Sequence, residues 1–137
     1  MDDARELRLL AGRSILVVED QYVIAEELVQ LLQRLGARVI GPFARVDIDL
    51  EAQPRPDAAL LDIHLRGRPV FALADRLRAA GVPILFLTGY DASVLPAAYQ
   101  GWPWLPKPVD LRRLVAALAG LLEQAPDARA GSTGEAR

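Results

Sequence analysis

Glu19, Asp20, Asp62, Thr88 and Lys107 stand at or just past the ends of short apolar runs, and together they are a set that phosphoryl chemistry uses. Carboxylates can hold a divalent cation, one of them can act as a nucleophile, and a hydroxyl and an ammonium can bond the oxygens of a phosphoryl group. Three carboxylates at short range repel, each unneutralised pair costing about 1–4 kcal/mol according to the effective dielectric, so a cation has to sit among them. Magnesium suits that role, because it takes a few carboxylates, keeps waters and bridges to phosphate oxygens. Lys107 would be the second positive charge.

A parallel α/β sheet brings such residues together, since ligands bind where the carboxyl ends of neighbouring strands meet. Residues 14–18 (SILVV) are short and continuously apolar, as a buried strand is, and stop at Glu19 and Asp20. From Tyr22 to Leu35 the apolar side chains Ile24, Leu28, Leu31, Leu32 and Leu35 recur at helical spacing, and Gly36 ends the helix. Residues 37–43 (ARVIGPF) suit an edge strand closed by Gly41-Pro42, and residues 46–53 a short helix. AALLD (58–62) is a third strand with Asp62 at its mouth, RGRP (66–69) a loop, and a helix runs from Val70 to near Gly81.

Residues 83–87 (PILFL) then lead into Thr88. Pro96 interrupts any helix in residues 89–101, which read as an irregular loop or one distorted turn. A short strand at 102–105 (WPWL) precedes Lys107, and Asp110 caps a helix bearing Leu111, Leu114, Val115, Leu118 and Leu121. This alternation predicts an α/β, flavodoxin-like fold, a five-stranded parallel sheet of order 2-1-3-4-5 with an irregular or shortened fourth helix. Residues 1–13 are an N-terminal extension, 14–122 the domain, and 123–137 a polar tail expected to stay disordered.

Composition narrows the function. A chain of 137 residues, 52% apolar, fits one domain with an ample core. A net charge of -2 and the lack of a long Lys/Arg run argue against nucleic-acid binding. The absence of cysteine excludes disulfides, thiol catalysis and thiolate metal sites. No apolar segment reaches membrane-spanning length and MDDARELRLL is acidic where a secretory signal is basic, so the expectation is a cytoplasmic protein without membrane insertion.

Each residue also has a plainer explanation. Asp20 alone reads as the N-cap of the following helix, Thr88 alone as a β-favouring strand terminus, and Lys107 as an exposed turn lysine. The joint placement at successive strand mouths is what carries specificity. VVED, LLDIHL, FLTGYD and LPKP, in this order, resemble the receiver domain of bacterial response regulators over about residues 14–122. The resemblance implies Asp62 as phosphoacceptor and Glu19 and Asp20 as the acidic pair for Mg2+. It also implies the main-chain carbonyl of His64 as a further metal ligand beside Asp62. Thr88 is then the hydroxyl that bonds the phosphoryl group, and Lys107 its lysine partner, ahead of a bond to Pro108 that is usually cis in the family.

Arg66 departs from the proline common four residues after the acceptor, and the segment between Thr88 and Lys107 is short. With PILFLTGYD, these features resemble the stand-alone subgroup nicknamed FATGUY, in which Gly-Tyr follows the signalling threonine, although Leu87 replaces its alanine. Trp104 occupies the position of a Tyr or Phe that swings inward, so the switch set would be Thr88, Tyr90 and Trp104. Large aromatics at a sheet edge also simply fill space. Tyr99 and Trp102 would add to an exposed aromatic patch on a partner-binding face.

The implied function is a single-domain response regulator in two-component signalling, phosphorylated on Asp62 by a sensor histidine kinase or histidine phosphotransfer protein. It is not an enzyme beyond catalysing its own phosphorylation and dephosphorylation. With no output domain fitting after Leu122, output passes to an unknown downstream protein, from a monomer or weak dimer. His64, the only histidine, is not expected to donate phosphate. The main alternative is a receiver-like binding module that is never phosphorylated. A nucleotide or flavin binder is disfavoured because EDQYV lacks glycine, and a haloacid-dehalogenase-like phosphatase because His64 stands where a second aspartate is needed.

Overall fold

The buried apolar runs form the centre of the molecule. A computed structural model describes residues 3–65, 68–89 and 92–124. Its main sheet contains β1 (Ser14–Val18), β2 (Arg38–Phe43), β3 (Ala58–Asp62), β6 (Ile84–Thr88) and β7 (Trp104–Pro106), all parallel, in the order β2-β1-β3-β6-β7. In main-sheet numbering this is 2-1-3-4-5, as predicted.

Because side chains alternate across a strand, each inner strand feeds two cores. Leu16, Val18, Leu61 and Phe86 pack on one face with α3 (Phe71–Ala79), while Ile15, Val17, Leu60 and Leu87 pack on the other with α2 (Tyr22–Arg34) and α4 (Leu111–Gln124). Asp110 caps α4 as expected, its Oδ1 accepting from the N–H of Arg112 at 3.0 Å and of Arg113 at 3.3 Å.

The five predicted β/α repeats are thinner than the pattern suggested. A single 3-10 turn, Leu50–Ala52, follows β2, where the prolines 54 and 56 leave little room for a helix. Two 3-10 turns, Ala92–Val94 and Ala97–Tyr99, follow β6, consistent with the irregular segment expected there. His64–Leu65 (β4) and Arg68–Pro69 (β5) pair as a small antiparallel ladder where sequence suggested only a loop. The N-terminal extension holds α1 (Asp3–Leu10), which lies against α4 through an Arg5–Glu123 ion pair and buries Leu10 completely. Of the tail expected at 123–137, Glu123 and Gln124 belong to the last turn of α4, which corrects that boundary, and residues 125–137 lie outside the described residues.

Gly41-Pro42 is absorbed into β2 rather than closing it. Leu16 pairs with Ile40 but Val18 with Phe43, so one extra residue bulges from β2 at these positions. Gly41 adopts φ +103°, and a Cβ there would stand 2.9 Å from the Val17 carbonyl oxygen and the Phe43 nitrogen. Gly41→Ala is therefore expected to destabilise the fold by about 1–3 kcal/mol, read as a lower urea midpoint at unchanged m-value.

Candidate functional site

Strand register delivers the residues to one edge. Val18 pairs with Leu61, so Glu19 and Asp62 leave adjacent strands at one level. Asp62 pairs with Leu87, placing Thr88 one step beyond, and Thr88 pairs with Pro106, placing Lys107 next. A main-chain bond from the Lys107 N–H to the Thr88 carbonyl, 2.8 Å, fixes that last step. The Lys107-Pro108 peptide bond is cis.

One ligand oxygen from each of Glu19, Asp20 and Asp62 lies within 4.8 Å of the others. Lys107 Nζ sits 2.9 Å from Glu19 Oε1 and 3.2 Å from Asp62 Oδ2. It also donates to Glu19 Oε2 and to Gln21 Oε1, both at 3.2 Å. Glu19, Asp62 and Thr88 are only 2%, 5% and 1% exposed. Burial, then repulsion from Glu19, pushes the Asp62 carboxyl up from 3.8 to about 6, against the pull of Lys107. At neutral pH it is still mostly ionised and thus nucleophilic.

The cluster suits a cation. Glu19 Oε1 is buried and approached by Lys107, yet receives no well-directed hydrogen bond, so it retains acceptor capacity. Hard oxygen donors, partly neutralised by one ammonium, match Mg2+ better than any softer metal. Asp20 does not cap α2. Gln21 holds the N-cap position without a side-chain capping bond, which leaves Asp20 at the pocket rim.

The predicted residues fare unequally. Glu19, Asp20, Asp62 and Lys107 converge. Thr88 ends β6 at the same edge, its side chain buried. His64 lies in β4, two residues past Asp62, with its side chain exposed. Tyr90 and Arg66 fall outside the described residues. Trp104 is half-buried against the α3-side core.

Tyr99 corrects the expected aromatic patch. It is 1% exposed, donates its hydroxyl to Asp75 Oδ1 at 2.7 Å, and stacks on Phe71 with ring centroids 5.8 Å apart. Burial and Asp75 raise its phenol to about 12. Gln21 is the site member that sequence reasoning missed. Its N–H donates to Glu19 Oε2 at 3.0 Å while its side chain holds Lys107. Its only signal was proximity to Glu19.

No family model matches the chain. The signal receiver domain of a modulated diguanylate cyclase from Desulfovibrio desulfuricans G20 is 30% identical, with a TM-score of 0.72, over 82% of this chain and 95% of that one. SdrG from Sphingomonas melonis Fr1 is 32% identical, with a TM-score of 0.69, over 82% of this chain and 98% of its own. Response regulator MprA of Mycolicibacterium vanbaalenii is 34% identical over 126 residues, which cover 87% of this chain and 54% of MprA. The chain belongs to the receiver-domain family of response regulators, proteins of two-component signalling. It spans about half the length of curated relatives such as MprA and YbdJ of Bacillus subtilis. No helix among the described residues is long and apolar enough to cross a membrane.

Proposed function

We propose that the chain is a cytoplasmic response-regulator receiver of the FATGUY-like type, taking a phosphoryl group onto Asp62 from a sensor histidine kinase or histidine phosphotransfer protein. The observation that carries this reading is the ammonium of Lys107 bridging the buried Glu19 and Asp62 carboxylates at 2.9 and 3.2 Å. A permanent structural ion pair needs one carboxylate; two around one lysine, with Asp20 beside them, leave negative charge for a further cation.

Asp62 attacks phosphorus, the phosphorus–nitrogen bond of the donor breaks, and its electron pair goes to imidazole, which leaves neutral on taking up a proton. Lys107 neutralises charge on the transferred oxygens, and Thr88 donates its hydroxyl to one of them. Glu19, Asp20, Asp62 and the His64 carbonyl would hold Mg2+, whose positive charge lowers the cost of bringing an anionic phosphoryl group to this acidic cup.

Tyr22 and Val23, 76% and 67% exposed, stand at the start of α2 beside the cup and supply an apolar surface for the donor protein. Incubation with acetyl phosphate and Mg2+ should add one phosphoryl mass, and EDTA should prevent it. Tyr22→Ala with Val23→Asp should leave this reaction intact while slowing transfer from the cognate protein donor at least about tenfold. Labelling that ignores EDTA would reject the metal-assisted mechanism.

Output would follow from Thr88 moving toward the phosphoryl group and residues 89–104, with Tyr90 and Trp104, rearranging for a downstream protein. Tyr99, pinned to Asp75 and Phe71, is the point around which that rearrangement pivots. Beryllofluoride should shift NMR resonances on both sides of Tyr99 more than those of α1; unchanged resonances there would refute the switch.

A further inference from the structure

An apolar groove of about 350 Å³ lies between α1, α2 and α4, away from the acidic cup. It is lined by Leu31 of α2 and Leu35, the C-cap residue of that helix, with Leu111 and Val115 of α4, each pair four residues apart and so on one side of its helix. Leu7 of α1 projects at its edge, 44% exposed, one of three large apolar side chains left in solvent among the described residues. The other two are Tyr22 and Val23, so this patch has no part in the proposed donor surface.

We propose that this groove is a homodimer interface, occupied by a second copy of the chain around a two-fold axis. The patch is self-complementary. The patch contains both a projecting leucine and a recess lined with aliphatic side chains, so two copies can each supply the knob for the other's hole. Its polar rim is complementary too. Glu6 and Arg112 both line the groove, and among the described residues neither side chain has an ion-pair or hydrogen-bond partner. In the proposed dimer Glu6 of each copy faces Arg112 of the other. A partner of unrelated sequence would have to bring both features itself, whereas a second copy already has them. The interface uses α1, the C-terminal end of α2 and the first turns of α4 and includes neither Tyr22 nor Val23, so dimerisation leaves the proposed donor surface open.

Sedimentation velocity on the full chain across a wide concentration range tests this. The expected result is a reversible monomer–dimer equilibrium that Leu7→Glu weakens at least about tenfold. Glu6→Arg and Arg112→Glu should each weaken it, and the double exchange Glu6→Arg/Arg112→Glu should recover most of the loss, because both reversed pairs form across the axis. Circular dichroism of each variant checks the fold, and the charge exchange provides the test should Leu7→Glu unfold. A chain that stays monomeric at all concentrations would overturn the proposal. So would a dimer indifferent to Leu7→Glu in a folded variant, or a double exchange no better than its worse single change.

Discussion

Lys107→Ala is expected to destabilise the metal-free protein by about 3 kcal/mol at neutral pH, because it strips the only described cation from two buried carboxylates. The aliphatic stem contributes little to this, since the lysine is bonded at its ammonium to Glu19, Asp62 and Gln21 together. The protein has one way to lessen the cost, which is to take up a proton on Asp62, whose carboxyl already stands near 6. Lys107 pulls that carboxyl down, so without it Asp62 takes up its proton above 6, and the loss should shrink as pH falls toward about 6, with little of Asp62's share left below it. Millimolar Mg2+ should also offset part of it by supplying the missing positive charge. Urea unfolding of both proteins at two pH values, with and without Mg2+, reads all of these effects. A variant as stable as the native chain throughout would mean that Lys107 is an ordinary surface lysine.

Asp62→Asn should move stability in the opposite direction. The Asp62 proton is held more tightly in the folded state, near 6, than at the ordinary value of 3.8. Between those values the folded protein binds more protons than the unfolded chain, so stability falls as pH rises. The contribution of Asp62 is thus fully present below about pH 4 and lost by the time pH has risen through 6. Asparagine keeps the shape without the charge, and the metal-free variant should exceed the native protein by up to about 3 kcal/mol at pH 7, the difference vanishing below pH 4. Magnesium reverses the order. It should raise the melting temperature of the native chain and leave that of Asp62→Asn nearly unchanged, and its apparent affinity should decline as protons compete below pH 6. Equal Mg2+ responses would remove Asp62 from the metal site.

The acidic cup was legible because a parallel sheet converts sequence position into space by a simple rule. Each strand ends at one edge, so Glu19, Asp62, Thr88 and Lys107 had to meet once four apolar runs were recognised as neighbours. Asp20 was less secure, since an acidic residue before a helix is a good cap, and only the N-cap position of Gln21 separates the two roles. What sequence did not disclose lacks periodicity or depends on tertiary contacts. The eight-residue α1 is too short to be stable by itself and is held by α4, with Leu10 as its buried anchor. Tyr99 sits in a proline-broken segment without a repeating apolar face, so nothing local distinguished a buried tyrosine from an exposed one. Gln21 belongs to no chemical motif and acquires its role only through the position of Lys107.

In the proposed mechanism Asp62 is the residue that carries the phosphoryl group. After reaction with acetyl phosphate and Mg2+, intact mass followed by peptide mapping should place a single acyl phosphate on Asp62, absent from Asp62→Asn. Equal labelling of Asp62→Asn and the native chain, or a phosphoryl mapped to another residue, would contradict it.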